Sequence, residues 1–144
     1  HFLFFSERVF GPLKLMWAKT TYPENTSLCE TDVLARLESS DGCPVNILAS
    51  VGGVQPDRQE LTIKGSKKSR RISEFYKDAE SLGGNFMSIR EEPLDPRAVS
   101  LKGQLDHLSL NIRGLPNKLA TIKEALRIQI LVEEILSNHQ NVKV

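Results

Sequence analysis

The chain has 144 residues, 40% of them hydrophobic, and 19 basic against 18 acidic side chains leave a net charge of +1. That is enough apolar material for one globular domain with a core of its own. The near-balance of charge gives no electrostatic reason to expect a nucleic acid or an anionic membrane as partner, and two cysteines, Cys29 and Cys43, are too few for a disulfide framework.

In chain order, residues 1–10 (HFLFFSERVF) read as the later turns of an amphipathic helix, stopped by Gly11-Pro12. The helix opens mid-stream and without Met, so the expectation is the rear part of a larger protein. Leu13, Leu15 and Trp17 alternate with Lys14, Met16 and Ala18, a period of two that predicts a strand to about Tyr22. Residues 24–31 are polar and loop-like. Val33, Ala35 and Leu37 mark a second strand, residues 39–42 (SSDG) a turn, and Val45, Ile47, Ala49 and Val51 a third strand that closes a hairpin. Gly52-Gly53 breaks the pattern. A fourth strand over 59–64 and a shorter fifth over 70–73 flank the turn at 65–69.

Residues 75–96 are charged and interrupted by Gly83-Gly84 and Pro93, which reads as an excursion from the core. A helix follows over 97–112 with Val99, Leu105, Leu108 and Ile112 near helical spacing, ending at Arg113-Gly114. The last helix is announced by a capping box, Thr121 to Glu124, and by a stripe of Ala125, Ile128, Val132 and Ile135. Strands framed by helices predict an α+β domain over residues 1–144, an open, mainly antiparallel sheet with helices packed on one face. The other sheet face must meet solvent, a second subunit or a further domain, and Trp17, Leu15 and Leu13 are candidates for whichever face is buried.

Few residues suggest chemistry. There is no Gly-x-Gly-x-x-Gly after a strand, no phosphate-cradling loop and no Gly-x-Ser-x-Gly elbow. The loop 52–57 (GGVQPD) lies between strands and opens no helix, so it reads as a turn or bulge rather than a ligand loop. Lys64, Lys67, Lys68, Arg70 and Arg71 form a basic run that reads as a solvated hairpin tip; a nucleic-acid patch would interleave aromatic residues with the charges. Of the three histidines, His107 and His139 read as structural or solvated. No metal site is expected. The longest apolar stretches, 2–5 and 128–132, are far shorter than the roughly 20 residues of a membrane span, so a soluble, cytoplasmic protein is expected, with no membrane partner.

Taken together, several segments carry a resemblance. They are His1 ten residues before Gly11, residues 32–37 (DVLARL), 42–45 (GCPV), 49–53 (ASVGG), 56–60 (PDRQE) and 119–127 (LATIKEALR). In order and spacing they resemble the C-terminal domain of the glucose-fructose oxidoreductase / inositol dehydrogenase / MocA family, across nearly the whole chain. The resemblance implies a parent with an N-terminal Rossmann domain that holds NAD or NADP, absent here, so that no cofactor binds this chain and it is inactive by itself. It implies that His1 is the acid/base residue of a hydride transfer from a sugar, polyol or related hydroxyl compound. The Asp and Gly of the family's Asp-x-Gly-x-His motif would precede residue 1. An imidazole suits the role because its ordinary pKa lies near working pH. The resemblance also implies a substrate against the sheet, with Lys19, Arg36 and Asn46 as candidate contacts, and a homo-oligomer, most simply a dimer, formed through the sheet face. The alternative function is a non-catalytic sheet module that binds a metabolite or a partner protein.

Overall fold

The computed structural model describes residues 1–24, 28–91 and 93–137. His139 and part of the loop expected at 24–31 lie outside the described residues. The elements run α1 (Phe2–Phe10), β1 (Leu13–Thr21), β2 (Asp32–Ser39), β3 (Pro44–Ser50), β4 (Glu60–Lys64), β5 (Ser69–Ser73), β6 (Lys77–Ser81), β7 (Met87–Ser88), α2 (Pro96–Ile112) and α3 (Ile122–Ser137). The protein is α+β with antiparallel pairing throughout, as the alternation predicts. The expected run of hairpins is divided, however, into a three-stranded sheet β1-β2-β3 and a four-stranded sheet β4-β5-β6-β7. The division falls at Gly52 and Gly53, whose φ of 95° and 84° turns the chain out of β3.

Two compact units result. One comprises His1–Val54 and the chain from Ala120 on; the other is Gln55–Leu119. In the first, α1 and α3 lie together and α3 packs on β1. Its core is Ala18, Ala35, Leu37, Val45, Leu131 and Ile135, with Leu3, Phe10, Leu13, Leu15, Val33 and Ile47 packed around it. Leu37 is wholly buried. Side-chain hydroxyls tie the C-terminal turns of α3 to the first strand: Thr20 Oγ1 donates to the Ile135 carbonyl at 3.2 Å and Tyr22 to the Leu136 carbonyl at 3.3 Å.

Both helices of this unit differ in detail from their apolar patterns. In α1 the buried residues are Ser6 and Glu7, while Phe5 and Val9 are exposed. The inward positions are therefore 3, 6, 7 and 10, one helical stripe, and Glu7 is tolerated there because Arg127 of α3 donates to it. In α3 the capping box forms as expected: Thr121 N–H donates to Glu124 Oε2 at 2.7 Å and Glu124 N–H to Thr121 Oγ1 at 3.2 Å. Leu131 and Ile135 are its buried residues, Ile128 and Val132 of the expected stripe are half-buried beside them, and Ala125 is exposed.

In the second unit, the stretch read as an excursion holds two strands, β6 and β7. The β5–β6 turn contains neither Gly nor Asn; Glu74 and Phe75 adopt φ of 50° and 64° instead, the left-handed values such a hairpin demands. Helix α2 starts on Asp95, whose carboxylate accepts the N–H groups of Arg97 and Ala98, and has Pro96 in its first turn. It ends in a paired C-cap. Gly114, at φ 67°, donates to the Asn111 carbonyl and Leu115 to the Leu110 carbonyl.

Candidate functional site

The helices cover only one face of the first sheet, and an irregularity in β1 decides what the other face carries. Leu15 pairs with Leu37, but Trp17 pairs with Arg36, leaving Met16 as an extra residue. This β-bulge reverses the alternation. Leu13 and Leu15 pack on the core, and beyond the bulge the inward positions are Ala18 and Thr20. Trp17, expected to share a face with Leu13 and Leu15, stands on the opposite one at 48% exposure, beside the equally exposed Met16.

Directly opposed residues of adjacent strands share a face. One row of the open face is thus Trp17, Arg36, Asn46, and the next is Lys19, Leu34, Leu48. Arg36 donates to Asn46 Oδ1 at 2.8 Å. Leu48 is 84% exposed. The structure therefore gathers the three candidate contacts, Lys19, Arg36 and Asn46, on one surface, in company with Trp17, Leu34 and Leu48. Their order across the strands was legible only once the register was known.

His1 is not on that surface. It stands at the N-cap of α1, exposed, with its carbonyl accepting the Phe5 N–H at 3.1 Å. Leu3 and Phe10 of the same helix pack against the core, which places α1 in the helical layer behind the sheet. The substrate and acid/base candidates are thus on opposite sides of the first unit.

The helical side carries the charged residues that sequence reasoning missed. Between α1 and α3, Glu7 pairs with Arg127, and Arg8 meets both carboxylate oxygens of Glu124 at 3.0 and 3.2 Å while lying 5.1 Å from the Phe4 ring. Hydrogen bonds from Thr121, backbone first, and then the Arg8 cation hold the Glu124 carboxyl below its usual range. A cleft of about 170 Å³ runs beside this cluster, lined by Glu7, Pro12, Leu13, Arg127, Leu131 and Glu134 among others. The only sequence signal for the pairings was the acidic and basic residues on each helix, which do not announce their partners across more than a hundred residues.

In the second unit the basic run is tied down by acids of β6. Arg70 presents its fork to Asp78 at 2.8 and 2.7 Å, and Lys68 reaches Glu80 at 2.8 Å. Arg70 first, through this hydrogen bonding, lowers the Asp78 carboxyl from its ordinary range and is itself raised. Arg71 lies over the Phe86 ring at 4.4 Å. His107, in α2, keeps a buried Nδ1 with no hydrogen-bond partner. Cys29 and Cys43 are both thiols, and the described residues contain no group of three His, Cys, Asp or Glu placed to hold a metal. The loop after β3 leads into β4 and opens no helix. No described helix is long and apolar enough to cross a membrane.

The structure of aldose-aldose oxidoreductase from Caulobacter crescentus, complexed with glycerol, is similar over 99% of the chain, with a TM-score of 0.71 and 18% identity. This chain spans 44% of that one. No protein-family model and no curated protein sequence matches it.

Proposed function

We propose that the chain is the C-terminal domain of an NAD(P)-dependent oxidoreductase that acts on a sugar, polyol or related hydroxyl compound. The observation that carries this reading is the likeness of nearly the whole chain to 44% of an aldose-aldose oxidoreductase, which leaves the remainder of such an enzyme to hold the dinucleotide. The nicotinamide, when bound by that remainder, supplies the hydride acceptor. Within this chain, the His1 imidazole takes the proton of the substrate hydroxyl and returns it in the reverse direction. It can do so because it opens a helix fixed at its other positions by Leu3, Phe10 and the Glu7–Arg127 pair, a stiff mount for a proton-transfer group.

The open face of the first sheet then serves association of copies rather than the reaction, since His1 lies behind it. Trp17, Leu34 and Leu48 give that face its apolar content, and Lys19 and Arg36 its polarity. The same face also favours a second reading, a sheet module that binds a metabolite or partner without catalysis.

The reading frame upstream of His1 in the source protein distinguishes the two. The enzyme reading expects roughly 150–200 further residues with a strand, a Gly-rich turn and a helix, and reduction of NAD or NADP by the parent protein when polyols or aldoses are supplied. Translation starting at or just before His1 leaves the binding module.

A further inference from the structure

Helix α1 meets α3 through two ion pairs made by neighbouring residues. Glu7 pairs with Arg127, and Arg8 presents a fork to Glu124, with Nε at 3.0 Å from Oε1 and Nη2 at 3.2 Å from Oε2. On α1 the two residues are consecutive, about 100° apart around the axis; on α3 their partners lie three apart, about one turn or 4.5 Å along the axis. The bonds therefore act at separate points along α3. A single pair would be a pivot for α1, whereas two spaced pairs oppose a swivel about it. Phe4 and the four charged side chains gather round a pocket of about 20 Å³, room for little more than one water, and the Phe4 ring flanks the Arg8 guanidinium.

Leu3 and Phe10 pack on the core, but apolar contact is non-directional; it fixes which side of α1 faces inward and not the angle at which the helix lies. Each charge also suits its own helix end, Arg8 the last turn of α1 and Glu124 the first turn of α3. That alone does not account for a two-pronged bond between them, nor for one carboxylate serving both Arg8 and the cap on Thr121. We propose that Arg8 and Glu124 are positioning residues that set the angle of α1 and so the place of His1. The proposal rests on the reading of His1 as the proton-transfer group. His1 stands seven residues from Arg8, a lever of about 10 Å, so a swivel of about 6° moves it by about 1 Å, and a misplacement of that size can cost about 100-fold in rate.

Steady-state kinetics of the parent protein test this. Glu124→Gln keeps a capping partner, because Gln also serves at that position, but removes the charge that holds the Arg8 fork. Arg8→Met keeps an apolar stem beside Phe4 and removes the fork. Each is expected to lower kcat at least about tenfold with KM within about twofold, and the double variant to fall no further than the worse single one, as for two residues acting as a unit. Arg8→Lys, which keeps the charge without the fork, should recover part of the loss. A merely stabilising role would lower the unfolding midpoint and leave kcat at lower temperature unchanged. In a parent that turns over and depends on His1, a kcat within about twofold of wild type in both single variants, or losses that multiply in the double, overturns the proposal and leaves the oxidoreductase reading intact. A parent that reduces neither NAD nor NADP, or one indifferent to His1→Asn, overturns that reading and this proposal with it.

Discussion

The first unit closes helices over a sheet and buries Ala35, Leu37, Val45, Leu131 and Ile135, whereas the second has no buried hydrophobic residue among those described and ties β5 to β6 with Arg70, Asp78, Lys68 and Glu80. The difference separates two kinds of cohesion. Apolar burial is not screened by salt and depends on fit; ion pairs on a sheet surface weaken with salt and with protonation. The unit that carries the proposed acid/base residue is the one built on burial.

The largest effect should come from the core. Leu37→Ala removes a wholly buried side chain and is expected to destabilise the first unit by about 3 kcal/mol, measured by urea unfolding followed at Trp17, the single tryptophan. A change below 1 kcal/mol would mean the core is not where the burial places it. Next comes the ionic network: Asp78→Ala should cost the second unit about 1–2 kcal/mol, because the Arg70 fork loses its acceptor. The pH dependence has a definite sign. Asp78 is held below its ordinary value of 3.8, so its contribution is present above pH 3.8 and disappears as pH falls below it. Protection factors of the β5 and β6 amides, which compare exchange with the intrinsic rate at the same pH, should therefore fall on acidification in the wild type and less in Asp78→Asn. Thr121→Ala, which removes the reciprocal cap of α3, should cost about 1 kcal/mol. The smallest effect belongs to the open face: Leu48→Lys should change stability by less than about 0.5 kcal/mol, because the residue is almost fully solvated, while weakening self-association if copies meet there.

Local signals were readable where one segment suffices. Gly11-Pro12 ends α1, the capping box begins α3, and Val33, Ala35 and Leu37 set the inward face of β2. Readings failed where the deciding information is not local. The bulge at Met16 moves Trp17 to the open face, and nothing in an alternating run announces an extra residue. The β5–β6 hairpin was invisible because its turn uses Glu74 and Phe75 in place of the Asn or Gly that normally signals one. Glu7 is buried in α1 because it meets Arg127, a partner 120 residues away, which no local pattern announces. The basic run was legible as a hairpin, but its partners, Asp78 and Glu80, lie in β6, a strand the sequence did not reveal. Of the candidate site, Lys19, Arg36 and Asn46 could be named from sequence, yet their common face required the register, and His1 proved to lie in the other layer.

The proposed role of His1 is proton transfer in an oxidoreductase. Steady-state kinetics of the parent protein with His1→Asn test it most directly: kcat should fall at least 100-fold with KM nearly unchanged, the mark of an acid/base group lost from the transition state. Turnover within a few-fold of wild type would exclude His1 as the acid/base group.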